Sequence, residues 1–120
     1  MSLLPKILVG LVAAEHLYIL WIEMFAWTTK GRATFRGFPA ELFEPTKTLA
    51  ANQGLYNGFL AAGLVWSLLI QDTEWSRNVA LFFLGCVITA GLYGWMTVSR
   101  SIFIKQGLPA VLAMLAVLFA

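Results

Sequence analysis

Charged side chains are scarce in this sequence: eight Lys and Arg with six Asp and Glu make up 12% of its 120 residues, against roughly 25% in a soluble domain. That shortage argues against a water-solvated globule. The chain has one cysteine, Cys86, set in an apolar run, which excludes an intrachain disulfide or a thiol metal cluster and leaves Cys86 as a small packing residue. It has one histidine, His16, so there is no His-x-x-x-His metal site and no second histidine to complete haem ligation. No phosphate-cradling glycine loop, dinucleotide fingerprint, zincin motif or nucleophile elbow occurs. Nor is there a basic-aromatic array of the kind that grips a nucleic acid, so no nucleic-acid partner is expected.

What the chain does have is apolar length: 60% of its residues are hydrophobic and the mean hydropathy is +0.80. Four runs, 3–27, 49–70, 78–99 and 102–120, are each about long enough to cross a ~30 Å hydrocarbon layer. Backbone groups in lipid must bond to one another, and four segments without sustained polar-apolar alternation cannot close a barrel, so the spans are helices. The expectation is an all-α polytopic membrane protein, an antiparallel four-transmembrane-helix bundle forming one domain over 1–120. Its helices fall at about 4–28, 48–70, 77–99 and 102–120, with an interfacial loop at about 29–47. The first run lacks a clean Ala-x-Ala end and so reads as a helix rather than a cleaved leader.

The loop GRATFRGFPAELFEPTK carries two glycines, Pro39, Pro45 and alternating charge. Phe35, Phe38, Leu42 and Phe43 make it too apolar for a free loop; it is expected to lie in the membrane interface, with PAELF as a short helical turn, against lipid or as a lid. A fourth helix starting at Gly107 would be too short to span at 1.5 Å per residue. It is therefore expected to start near Ile102, with Lys105 snorkelling and Pro109 kinking it or closing its first turn. Its Ala110, Ala113, Met114 and Val117 read as a packing or dimerisation face.

Alternating helices put Lys6 and Arg77 on one side and Lys30, Arg32, Arg36, Lys47, Arg100 and Lys105 on the other. The side richer in positive charge is cytoplasmic by the positive-inside rule. Loops 29–47 and 100–105 are then cytoplasmic, and both termini outside.

Polar residues inside the runs carry the functional interest. With about 100° per residue, Glu15, His16 and Glu23 of AEHLYILWIEMFAW share one sector of the first helix about 100° wide, staggered over about 12 Å. In the second helix, NQGLYNGFL offers Asn52, Gln53, Tyr56 and Asn57, while Gly54 and Gly58 thin the helix for close approach. Antiparallel packing sets that face opposite Glu23, with Gln53 and Asn57 as the expected neighbours. Thr89, Tyr93 and Thr97 recur every four residues on the third helix as an expected third wall.

A carboxylate in a span costs roughly 2.5 kcal/mol or more unless neutralised or hydrogen-bonded. Amides and hydroxyls suffice to glue helices together, so two glutamates and the only histidine point beyond glue. The binding or proton-relay candidates are Glu15, His16, Glu23, Asn52, Gln53, Tyr56, Asn57 and Tyr93. The readings that follow are the binding or transport of a small molecule, proton or ion; a membrane-embedded enzyme using His/Glu acid-base chemistry on a lipid-like substrate; or a structural, oligomerising protein. No cofactor is expected. No metal is expected either; were a divalent ion held, Glu15, His16 and Glu23 are the ligands on offer. The expected partners are membrane lipid, further copies in a homodimer or higher homo-oligomer, and a small hydrophobic ligand.

EHLYILWIEMF and NQGLYNGFLAAGL together resemble the domain of unknown function family numbered 1304, small bacterial integral membrane proteins, over nearly the whole chain. Glu15, His16, Tyr18, Glu23, Asn52, Gln53, Gly54, Tyr56, Asn57 and Gly58 match its hallmark positions. The resemblance implies four transmembrane helices in a bacterial cell (inner) membrane, and carries no activity, substrate or ligand set with it.

Overall fold

The computed structural model describes all of residues 1–120. Its elements are helices α1 (Leu3–Phe25), α2 (Lys30–Thr34), α3 (Lys47–Leu69), α4 (Thr73–Thr97), α5 (Arg100–Ile102) and α6 (Leu108–Phe119). A 3₁₀ turn at Ala40–Leu42 lies between α2 and α3, and a π turn at Phe103–Gly107 joins α5 to α6. Three segments, Leu3–Phe25, Thr73–Thr97 and Arg100–Phe119, are long and apolar enough to cross a membrane. The chain is an all-α, multi-pass membrane protein. Helix α3 equals α1 in length at 23 residues, but Asn52, Gln53 and Asn57 dilute its apolar character, so it falls outside that set.

The helices divide between two compact units, one of Met1–Glu15 with Leu60–Ala120 and the other of His16–Phe59. The first has a core of small and branched side chains: Val9, Val12, Ala13, Leu64, Ala80, Leu84, Val87, Ala110, Ala113 and Val117. Ala110 and Ala113 of α6 are fully buried there, so of the two readings of this face, packing or dimerisation, the fold uses it for packing. Small residues let α6 lie close on α4, and the face is consumed by that packing. A Cβ on Gly91 would stand 3.0 Å from the Gly107 Cα and 3.2 Å from its N, a tight contact with backbone, so glycine at 91 eases the approach of α4 to the π turn. The π turn ends at Gly107, with Leu108 between it and Pro109, whose missing N–H and bulky ring disrupt regular hydrogen bonding to the preceding turn, and the wider turn takes up the mismatch.

Helix α4 starts at Thr73, earlier than the apolar pattern alone suggests, because Asp72 caps it: its Oδ1 accepts from the Trp75 N–H at 3.0 Å. The α3–α4 corner is tied by serines. Ser76 Oγ donates to the Ser67 carbonyl at 2.7 Å and Ser67 Oγ to the Leu64 carbonyl at 2.6 Å, all buried. At the far end of α6, Arg77 Nε donates to the Val117 carbonyl at 3.3 Å, placing a cation on a helix C-terminus.

The second unit is built around Trp27. Its ring lies 4.9 Å from Phe43 and 5.6 Å from both Phe35 and Phe38, centroid to centroid, and its Nε1 donates to Thr46 Oγ1 at 3.0 Å. Phe43 is 1% exposed. Arg32 closes the knot: its guanidinium sits 5.1 Å from the Phe43 centroid, donates from Nε to the Thr28 carbonyl at 2.8 Å and from Nη1 to the Ala40 carbonyl at 2.9 Å. The connection between α1 and α3 is thus folded on its own aromatic core, with the 3₁₀ turn inside PAELF. Trp27 is the hub of that core.

Candidate functional site

On α1 the buried stripe runs through His16, Ile19 and Ile22, with Glu23 half-buried beside it. Opposite, α3 presents Gly54 and Gly58 to Leu20. A Cβ on Gly54 would stand 2.7 Å from Met24 Cγ, 3.0 Å from Glu23 Cβ and 3.2 Å from the Leu20 carbonyl oxygen; one on Gly58 would stand 2.6 Å from Leu20 Cδ1. Glycine at both positions lets the α3 backbone come down onto α1. That approach carries Asn57, 9% exposed, up to Glu23, and Asn57 Nδ2 donates to Glu23 Oε1 at 2.6 Å. No Lys or Arg pairs with Glu23, and its other oxygen accepts no hydrogen bond from the chain.

The remaining candidates fall elsewhere. Gln53, expected beside Glu23, is exposed, because it lies one helical step off the face that Gly54 and Gly58 set against α1. Asn52 and Tyr56 are exposed too, with the Tyr56 ring tilted against Phe59, centroids 5.9 Å apart. Tyr93 is 67% exposed. The hydroxyls of Thr89 and Thr97 turn back to the Gly85 and Tyr93 carbonyls, at 2.8 and 2.7 Å, so the expected third wall is a row of threonines satisfied by their own helix. His16 is 1% exposed and Glu15 half-buried, one residue before it on α1. No three His, Cys, Asp or Glu side chains gather as a metal ion requires.

A separate apolar cleft of about 180 Å³ lies in the first unit, lined by Leu8, Leu11, Val12, Ile104, Leu108, Pro109 and Leu112. None of the polar candidates lines it. Sequence reasoning did not pair Trp27 with Thr46 or Ser67 with Ser76; the first pair is 19 residues apart and the second 9, and only the folded turns bring each together.

The model of the family described as Protein of unknown function (DUF1304) matches residues 10–118. This chain belongs to that family. It is also 32% identical over 121 residues to Uncharacterized protein YpaA of Lactococcus lactis subsp. lactis (strain IL1403), covering 99% of this chain and all of the relative. No solved structure matches the chain. The matched span includes the whole Glu15–His16–Glu23 stretch and the Asn52–Gly58 segment.

Proposed function

We propose that this family member is a four-helix membrane protein that handles protons or small cations, with Glu23 as the exchanging group. One observation carries the reading: a half-buried carboxylate in a membrane-spanning helix whose partner is a neutral amide, not a cation. An amide donor orients the carboxyl group and leaves its charge uncompensated, so the group is poised to take up a proton or a small cation. Glu15 and His16, about two turns towards the N-terminus, are the other acid-base candidates on α1.

In this proposal α3 is the fourth span, loops 29–47 and 100–105 face the cytoplasm and both termini lie outside, in accord with the two-to-six division of Lys and Arg. Glu23 then opens towards the cytoplasmic side, close to the Trp27 knot in sequence.

A second reading, a clasp that holds α1 to α3, is favoured by the close approach at Gly54 and Gly58. Flux separates the two. In vesicles loaded with a pH-sensitive dye, the wild-type chain dissipates an imposed pH gradient faster than Glu23→Gln, which keeps the shape and an acceptor oxygen. Equal rates, with both proteins folded, reject proton handling and leave the clasp.

A further inference from the structure

The outward face of the first half of α3 is polar where lipid offers no partner. Asn52, Gln53 and Tyr56 are exposed, and no hydrogen bond within the chain engages their side chains. Measured from Lys47 at the start of α3, Asn52 lies about 8 Å and Tyr56 about 14 Å along the helix. With α3 spanning, as proposed above, these groups enter the hydrocarbon region, where an unmet amide is costly.

Acyl chains cannot satisfy them, whereas a second copy of the same face can. A primary amide carries both donors and acceptors, so a face that carries Asn52 is complementary to itself across a two-fold axis. Asn52, Tyr56 and Phe59 lie within about 60° on the helix. Tyr56 and Phe59 are 52% and 56% exposed and already in contact, their rings tilted at 44° with centroids 5.9 Å apart, an aromatic anchor beside the Asn52 amide. The other small-residue face a dimer could have used, on α6, is buried within the fold.

We propose that a second copy of this chain docks on the Asn52–Tyr56–Phe59 face of α3, with the Asn52 amides hydrogen-bonding across the two-fold. The proposal rests on α3 being a span and is independent of proton exchange at Glu23.

The test is a cysteine scan in a Cys86→Ala background, in native membranes, with a bifunctional maleimide as the cross-linker. Asn52→Cys, Tyr56→Cys and Phe59→Cys are compared with Ala62→Cys and Val65→Cys, which are exposed on the same helix but outside the stripe. The expected result is covalent dimer several-fold above the two controls at all three stripe positions. Dimer no more abundant there than at the controls overturns the proposal, whether lipid or water covers the face. Because every variant keeps Glu23 and Asn57, gradient dissipation measured on the same proteins shows separately whether proton handling stands.

Discussion

Asn57 of α3 donates a 2.6 Å hydrogen bond to Glu23 of α1, joining residues 34 apart in sequence across two long helices. The bond exists because two glycines flank Asn57 on the α3 surface that meets α1, and it places a carboxyl group where no basic side chain answers it.

Breaking the pair from either end gives unequal effects. Asn57→Leu leaves the half-buried carboxyl group without its donor and lowers stability by about 1–2 kcal/mol, whereas Glu23→Gln, which keeps an acceptor, costs less. Unfolding in mixed detergent micelles, run as a double-mutant cycle of Asn57→Leu with Glu23→Ala, which removes the acceptor, reads a coupling energy of about 0.5–2 kcal/mol. Additive effects mean the bond contributes nothing in the membrane.

Glycine positions differ sharply in tolerance. Gly54→Ala forces a methyl group against Met24, Glu23 and the Leu20 carbonyl and destabilises by about 1–3 kcal/mol. Gly85→Ala meets only Met114 Cε, at 3.9 Å, and is neutral or stabilising by up to about 1 kcal/mol. Thermal melts of the purified protein in detergent order the two variants.

The loop between α1 and α3 loses its order when its hub is removed. Trp27→Ala deletes three ring contacts and the Thr46 hydrogen bond, so amide exchange over residues 30–46 accelerates markedly while α4 is unchanged. Trp27→Phe keeps most of the packing and gives an intermediate result.

Topology is checked by reporters. Alkaline phosphatase fused after Ala120 is active and fused at Gly37 is inactive, while a fluorescent protein at Gly37 glows. The opposite pattern inverts the orientation and moves Glu23 to the outer side.

Long apolar runs made the α1, α4 and α6 segments legible, because run length and hydropathy both follow from the bilayer. The sequence also placed Glu23 opposite the α3 amides, since helical rotation and a chain reversal are enough for that. It did not separate Asn57 from Gln53: they differ by about 40° on the wheel, and the depth of the Gly54–Gly58 approach makes the choice. Thr89 and Thr97 misled because spacing reports the face a hydroxyl occupies, not that its own helix has already satisfied it. The Trp27 knot was hidden for a different reason. Its four rings and Arg32 are ordered by turns at 26–31 and 39–46 that no periodic pattern encodes.

The central claim is that Glu23 exchanges a proton. Infrared difference spectra recorded across a pH titration in lipid test it most directly. The account predicts a carboxyl C=O band that appears and disappears with pH, is lost in Glu23→Gln and shifts in Asn57→Leu. A titrating spectrum that Glu23→Gln leaves unchanged would contradict it.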